Sequence, residues 1–472
     1  MTADSTPQDL KTILAAMKKA HLAKGPADAA LRRDRLERAA RLITAHQAEF
    51  VTAISADFGH RAAYHTLAAD IATTAQGLLH SAAHVGQWMA REPAESKDPG
   101  VHAWIAPQPL GVVGIVSPWN FPINLAFAPL AGVFAAGNTA LIKPSEVTPR
   151  TSDLLLRLVG EVFDADELGV VIGGPEVAQA FTALPFDHLV FTGSTSVGRH
   201  VMRAAAENLV PVTLELGGKC PVVIADGFDI DTAARRTLTV KTFNAGQICL
   251  SPDYVMLSEA AIPAFLASAR RFMAQAFPAL QSNEGYTSII TPGHFDRLLA
   301  LLADANAKGA EVIPLHPAGE PPYDDLTRKI APTLILGATP DMRVMQEEIF
   351  GPLLPLLAVD GMDQAIARIN AHDRPLAAYL FSDEANEQNR FAAHVTSGAL
   401  VINDVMLHAA MDSLPFGGVG ASGMGAYHGI HGFRRFSHFR PTVVQTPDGA
   451  SGLRLRAPYA EKRAALEARL KA

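Results

Sequence analysis

"GVVGIVSPWNFPINLAFAPLAGVFAAGNTALIK", Gly111 to Lys143, decides the fold class. It opens with a β-branched run, turns a proline-bracketed corner, continues as an apolar stretch of helical length, and closes on a second β-branched run, "TALIK". Continuous apolar runs alternating with helices are what a parallel sheet covered on both faces requires. Downstream the alternation persists through a helix from about Thr151, then "GVVIGG" (169–174) and "HLVFTG" (188–193), the pattern of an open, Rossmann-like α/β nucleotide-binding unit. Near "VTLELGGKCPVVIA" (212–225) the scheme restarts, and "VIPLH", "PTLIL" and "PLLPLL" predict a second α/β unit lasting beyond residue 400.

Upstream, "LRRDRLERAARLITAHQAEFVTAISADFG" (31–59) places Leu36, Ala40, Ile43, Phe50 and Ile54 near one face of a single amphipathic helix. Helix-like sequence runs to about Met89, and "REPAESKDPG" then reads as a connection. The tail "LRAPYAEKRAALEARLKA" is expected to form a helix after Pro458 that packs on the body or on a partner subunit.

With 472 residues, 49% of them hydrophobic, the chain has ample material for two or three domains with real cores. A formal charge of -7 gives no general attraction for phosphate backbones or anionic lipid, so nucleic acid and membrane are not expected partners. Two cysteines cannot make a disulfide framework, and no Cys/His spacing suggests zinc or another metal. The N-terminus has no signal-peptide pattern and no apolar run is long enough to span a bilayer, so the expected location is cytoplasmic.

Chemistry is carried by residues at the ends of these runs. Cys249, in "FNAGQICLSPDYV", lies between a helix ending near Gly246 and the break at Pro252, so its thiol can face a cleft; the alternative is a small buried apolar residue. Glu215 in "VTLELGGKCP" is a general base if desolvation raises its pKa, or else an ion-paired glutamate at a turn. Cys220, entering the buried run "VVIA", reads as structural. In "SPWNFPINLA" two prolines stiffen the corner around Trp119 and Asn120, whose amide can serve an oxyanion or satisfy the turn. Lys143 and Glu146 in "LIKPSE" lie just past a strand end, where a cation and a carboxylate can hold ribose hydroxyls or remain exposed charges. The strand-to-helix turn "FTGSTSVGRHV" can turn its amides toward a diphosphate. By contrast "GVGASG" (418–423) matches a dinucleotide fingerprint only formally, since no strand leads into it and no helix opens from it. His428 and His431 lack further ligands nearby in sequence to complete a metal set.

Taken in order, "PWNFP", "KPSE", "FTGSTSVG", "LELGGK", "GQIC" and "EEIFGP" resemble the NAD(P)-dependent aldehyde dehydrogenase superfamily from about Leu31 to Thr446. "GQICLSPDYV" and "SLPFGGVGASGMGAYHGIHGFRRFSH" resemble its class 3 branch, and "ADFGHR" is similar to bacterial coniferyl aldehyde dehydrogenases. The resemblance implies Cys249 as nucleophile, Glu215 as general base and Asn120 as oxyanion donor. Around an NAD cofactor, with NADP possible, it places Trp119, Lys143, Glu146, Gly193, Ser194, Gly217, Glu348 and Phe350. It further implies a dinucleotide-binding domain from residues 1–93 and 112–214, a catalytic domain from 215–425, and a small β arm from 94–111 and 426–450 that joins subunits into a homodimer. Residues 451–472 remain as a C-terminal extension. The expected reaction is oxidation of an aldehyde to an acid, with an aromatic aldehyde first and a medium or long aliphatic one second. Transfer of the acyl group to CoA is the nearest rival. A cysteine hydrolase or acyltransferase, or a binding protein without catalysis, is the reading if the cofactor motifs are accidental.

Overall fold

The computed structural model describes residues 6–98, 100–449 and 455–471. In chain order its strands are β1 (Glu92–Ala94), β2 (His102–Pro109), β3 (Val112–Val116), β4 (Thr139–Lys143), β5 (Leu168–Val170), β6 (His188–Gly193) and β7 (Val212–Leu216). Next come β8 (Cys220–Ile224), β9 (Pro252–Leu257), β10 (Glu311–Pro314), β11 (Tyr323–Asp324), β12 (Lys329–Ile330) and β13 (Thr333–Leu336). The last are β14 (Leu353–Ala358), β15 (Ala377–Phe381), β16 (Ala399–Ile402), β17 (Gly423–Met424) and β18 (Ser437–Val444).

Two open sheets form the body. One has the order β17-β7-β6-β3-β4-β5, parallel except for β17, and the other runs β10-β13-β14-β9-β8-β15-β16, parallel except for β10. β3, β4, β7, β8, β9 and β15 are buried along their whole length; β3, β8 and β15 accordingly read as apolar runs, while β4, β7 and β9 bury Lys143, Glu215 and Asp253. The helix Asn124–Ala135, apolar all round, is covered by the helices Ala29–Ala45, Thr73–Trp88 and Gly429–Arg435. At its crossing with the last of these, Gly132 meets Gly432 so closely that a Cβ on Gly132 would fall 2.8 Å from backbone atoms. Between β7 of the first sheet and β8 of the second lies only the short segment Gly217–Lys219, so the carboxyl end of β7 lies at their seam.

β1, β2 and β18 make a separate antiparallel three-stranded sheet. The stretch expected as a plain connection therefore holds a strand, with Pro93 tolerated because β1 is an edge. The amphipathic segment 31–59 is likewise two helices, Ala29–Ala45 and Gln47–Phe58. The chain leaves helical geometry at His46, whose ring meets the Glu49 carboxylate at 2.6 Å. All five residues expected on its apolar face are nevertheless buried. After Pro458 the tail forms the expected helix, Ala460–Leu470, which buries none of its residues against this chain, so of the two expected packings the one on the body is not seen. Residues of the segment 215–425 feed both sheets, since Glu215 and Leu216 belong to β7 and Gly423–Met424 returns to pair with that strand. None of the helices among the described residues is long and apolar enough to cross a membrane.

Candidate active site

Cys249 is presented by an unusual turn. After the helix Ile230–Thr242, Asn244 (φ 51°), Ala245 (φ 52°) and Gly246 (φ 70°) are all left-handed, a conformation that costs a non-glycine residue about 1–2 kcal/mol. The cost is met by buried hydrogen bonds. Asn244 Nδ2 donates to the carbonyls of Asn120 (3.3 Å) and Gln247 (3.2 Å), and the Asn120 amide donates to the Gln247 carbonyl at 3.2 Å. Gln247 in turn donates to Ser288 O and accepts from Ile290 N. Beyond the thiol, Tyr379 Oη donates to Leu250 O at 2.7 Å, and Cys220 Sγ lies 3.4 Å from the Cys249 carbonyl. Cys220 is fully buried, as expected, while Cys249 is half-buried.

Two cavities meet at Cys249. The first, of about 520 Å³, is walled by Trp119, Asn120, the strand-to-helix turn Gly193–Ser194, Glu215, Gly217, Glu348 and Phe350. Eight of the expected cofactor and catalytic positions thus share one wall with the thiol. Ser194 caps the helix Thr195–Ala206, so the amides of its first turn lie at this wall. Lys143 and Glu146 are not on the wall. They sit at the carboxyl end of β4, the neighbour of β3, and pair with each other at 2.6 Å, Lys143 buried and Glu146 exposed. The second cavity, of about 270 Å³, is lined chiefly by apolar groups, among them Phe121, Phe243, Ile248, Phe416 and Tyr427.

Burial dominates the electrostatics. The Cys249 thiol is pushed up to about 12 by burial and by the nearby charges of Glu348 and Glu215. Glu215 is raised well above the ordinary carboxyl range, and neither of its oxygens has a hydrogen-bond partner among the described residues. Glu348 is raised to about 8 by burial and by Asp253, partly offset by the Gly218 amide, Lys219 and Arg297.

Several groups at this site escaped the sequence reading. His294 and Arg297, from the helix Pro292–Ala307, line the first cavity; His294 meets the Trp119 ring edge-on at 5.1 Å, and Arg297 reaches the carbonyl of Glu348. Lys219 ties Asp253 to the carbonyls of Val344 and Glu347, holding the Glu348 segment in place. Nothing in linear spacing brings these together. The asparagine-before-glycine pattern of "FNAG" was the one available signal for a left-handed turn.

The model of the aldehyde dehydrogenase family matches residues 1–441. The chain belongs to the aldehyde dehydrogenase family. Among curated relatives of this aldehyde dehydrogenase, the coniferyl aldehyde dehydrogenase of a Pseudomonas species is 54% identical over 96% of this chain and 94% of its own. A probable coniferyl aldehyde dehydrogenase from Caulobacter vibrioides is 50% identical over 98% and 96%. Of solved structures, the substrate-bound state of Staphylococcus aureus AldH superposes with a TM-score of 0.90 at 34% identity, covering 98% of this chain and 99% of that one. Betaine aldehyde dehydrogenase from S. aureus, in complex with NAD+, gives 0.84 at 26%, covering 94% and 88%. The chain is accordingly an α/β NAD(P)-dependent aldehyde dehydrogenase that oxidises an aldehyde.

Proposed function

We propose that this aldehyde dehydrogenase oxidises an aromatic aldehyde, coniferyl aldehyde or a close analogue, to its acid through Cys249. The observation that carries this reading is the meeting of two unlike cavities at one sulfur. The first holds the carboxyl groups of Glu215 and Glu348 at the carboxyl ends of β6 and β7; the second is lined by aliphatic side chains with the rings of Phe121, Phe243, Phe416 and Tyr427 among them.

The first cavity fits the dinucleotide. Thr192 Oγ1 is buried on its wall without a hydrogen-bond partner among the described residues, and a Cβ on Gly217 would overlap the Glu348 carboxylate, so the bare glycine lets that carboxylate reach this wall. In this reading Gly193, Ser194 and the following amides hold the diphosphate, Glu348 the nicotinamide ribose, and Trp119 and Phe350 flank the ring. Lys143 and Glu146 take the adenosine ribose, and the Glu146 carboxylate favours NAD over NADP by repelling the extra phosphate. When bound, the dinucleotide supplies the acceptor for the hydride released from the aldehyde carbon.

In our reading Cys249 Sγ, once deprotonated, adds to that carbon, and the oxyanion is held by Asn120 Nδ2 and the Cys249 amide. Asn120 can serve because its partner, the Gln247 carbonyl, also receives Asn244 Nδ2. Oxidation of the adduct leaves an acyl thioester on Cys249. Glu215, whose raised pKa makes it a stronger base once ionised, takes a proton from water at the thioester. The presence of Glu215 beside Cys249 speaks for water rather than CoA as the acyl acceptor.

The six-stranded sheet would then serve the cofactor and the seven-stranded sheet the thiol. The three-stranded sheet would join two subunits, and the two free thiols fit a cytoplasmic setting. Initial rates with coniferyl aldehyde, cinnamaldehyde and hexanal, each with NAD and NADP, test the reading. The aryl substrates and NAD should give the higher kcat/KM, and Cys249→Ser should abolish acid formation while retaining dinucleotide binding. A preference for hexanal would move the assignment to aliphatic aldehydes, and turnover by the serine variant would remove Cys249 from its role.

A further inference from the structure

Within the aromatic cavity the polar atoms left over by the fold are few, and two lie on one wall. Asn124 opens the helix Asn124–Ala135 and lines this cavity. Its backbone amide donates to Asp70 Oδ1 at 3.2 Å, beside that of Ile123 at 3.0 Å. Its side-chain Nδ2 donates to Thr74 Oγ1 at 2.8 Å. These bonds use the backbone N–H and one of the two N–H bonds of Nδ2, and the carbonyl oxygen Oδ1 takes no hydrogen bond from any described residue. Thr73, also on the cavity wall, donates its hydroxyl proton to Ala68 O at 2.9 Å, which leaves its oxygen able only to accept.

This wall is built rigidly. Asp70 pairs at 2.9 Å with Arg61, a fully buried guanidinium lying 5.0 Å from the centre of the Phe58 ring and 4.9 Å from that of Phe121. Asp70 sits on a π-helical stretch, Thr66–Ala72, immediately before Thr73, and such widened turns recur at functional sites. Arg61 and Asp70 thus hold the backbone of Ile123 and Asn124 from which the Asn124 side chain projects; they are positioning residues.

We propose that Asn124, aided by Thr73, selects aryl aldehydes bearing a free phenolic hydroxyl. Asn124 Oδ1 and Thr73 Oγ1 can only accept, so the substituent that matches this pair is an O–H donor, and an O-methylated ring brings these two oxygens no proton. A site with acceptors committed to a hydroxyl rejects the analogue that lacks it, because the acceptors are then left unpaired away from water. The proposal rests on the reading that the aldehyde enters through the aromatic cavity.

The test compares kcat/KM for 4-hydroxycinnamaldehyde, 4-methoxycinnamaldehyde and cinnamaldehyde with NAD at saturation. The wild-type enzyme should favour the hydroxy substrate over the methoxy one, and Asn124→Leu should lower that ratio by about 5- to 50-fold. Asn124→Ala, in which the cavity is opened rather than filled, should lower it too and covers the case in which the leucine variant does not fold. Equal wild-type rates on the three substrates, or a ratio unchanged in both variants, overturn the proposal alone. A ratio that survives in the Asn124 variants but is lost in His428→Phe assigns the hydroxyl to the histidine and overturns it also. Turnover of hexanal with none of the three aryl substrates overturns the aromatic reading and this proposal together.

Discussion

A thiol held at about 12 is almost wholly protonated at neutral pH, so the resting enzyme protects Cys249 rather than activating it. The sign follows from the causes: burial and the carboxylates of Glu348 and Glu215 all disfavour the thiolate. Alkylation of the dinucleotide-free enzyme by iodoacetamide should therefore accelerate roughly tenfold per pH unit between pH 7 and 9 without a plateau. A plateau below pH 8, followed by intact mass at Cys249, would show a stabilised thiolate instead. At this scale the sequence was informative about identity and silent about environment. Cys249, Glu215 and Asn120 stand in short motifs that single them out, and the structure gathers all three on one cavity. The proton affinity of the thiol, however, depends on Glu348, ninety-nine positions away, and no local pattern encodes that approach.

Among the elements, the left-handed turn before Cys249 does the aiming. Gly246, at φ 70°, has no room for a side chain, since a Cβ there would overlap the Gly351 carbonyl. Gly246→Ala should cost about 1–2 kcal/mol from backbone conformation alone, with a further penalty from the overlap. It should lower the thermal midpoint and reduce kcat/KM at least tenfold by displacing the thiol. Unchanged turnover in a folded variant would mean that the turn does not set the position of Cys249. Strands were the easiest elements to recognise, because burial on both faces writes itself as continuous apolar runs, as in β3 and β4. Breaks were harder. His46 ends one helix and starts another with no glycine or proline to mark it, and Ala245 adopts its left-handed conformation only because buried partners on either side impose it. β1 hides in a charged, proline-containing stretch because an edge strand needs no apolar pattern.

For the molecule as a whole, the arm offers the clearest unpartnered surface. β18 ends the three-stranded sheet, and Val443 and Val444 on it are 65% and 47% exposed, a pairing edge of the kind that joins equivalent subunits. Val443→Glu with Val444→Glu should convert the proposed dimer to a monomer in sedimentation velocity while leaving the thermal midpoint of the subunit nearly unchanged. A variant that still sediments as a dimer would place the interface elsewhere. Two α/β units were legible from the restart of the strand-helix alternation near Val212. What was not legible is that the late segment Gly423–Met424 returns to the first sheet beside Glu215, because that pairing joins residues two hundred positions apart. The two cavities that meet at Cys249 also carry a kinetic implication. On the proposed assignment, with oxidant in the first and fuel in the second, the two would reach the sulfur from different sides, and the acid could be discharged while the spent carrier is still aboard.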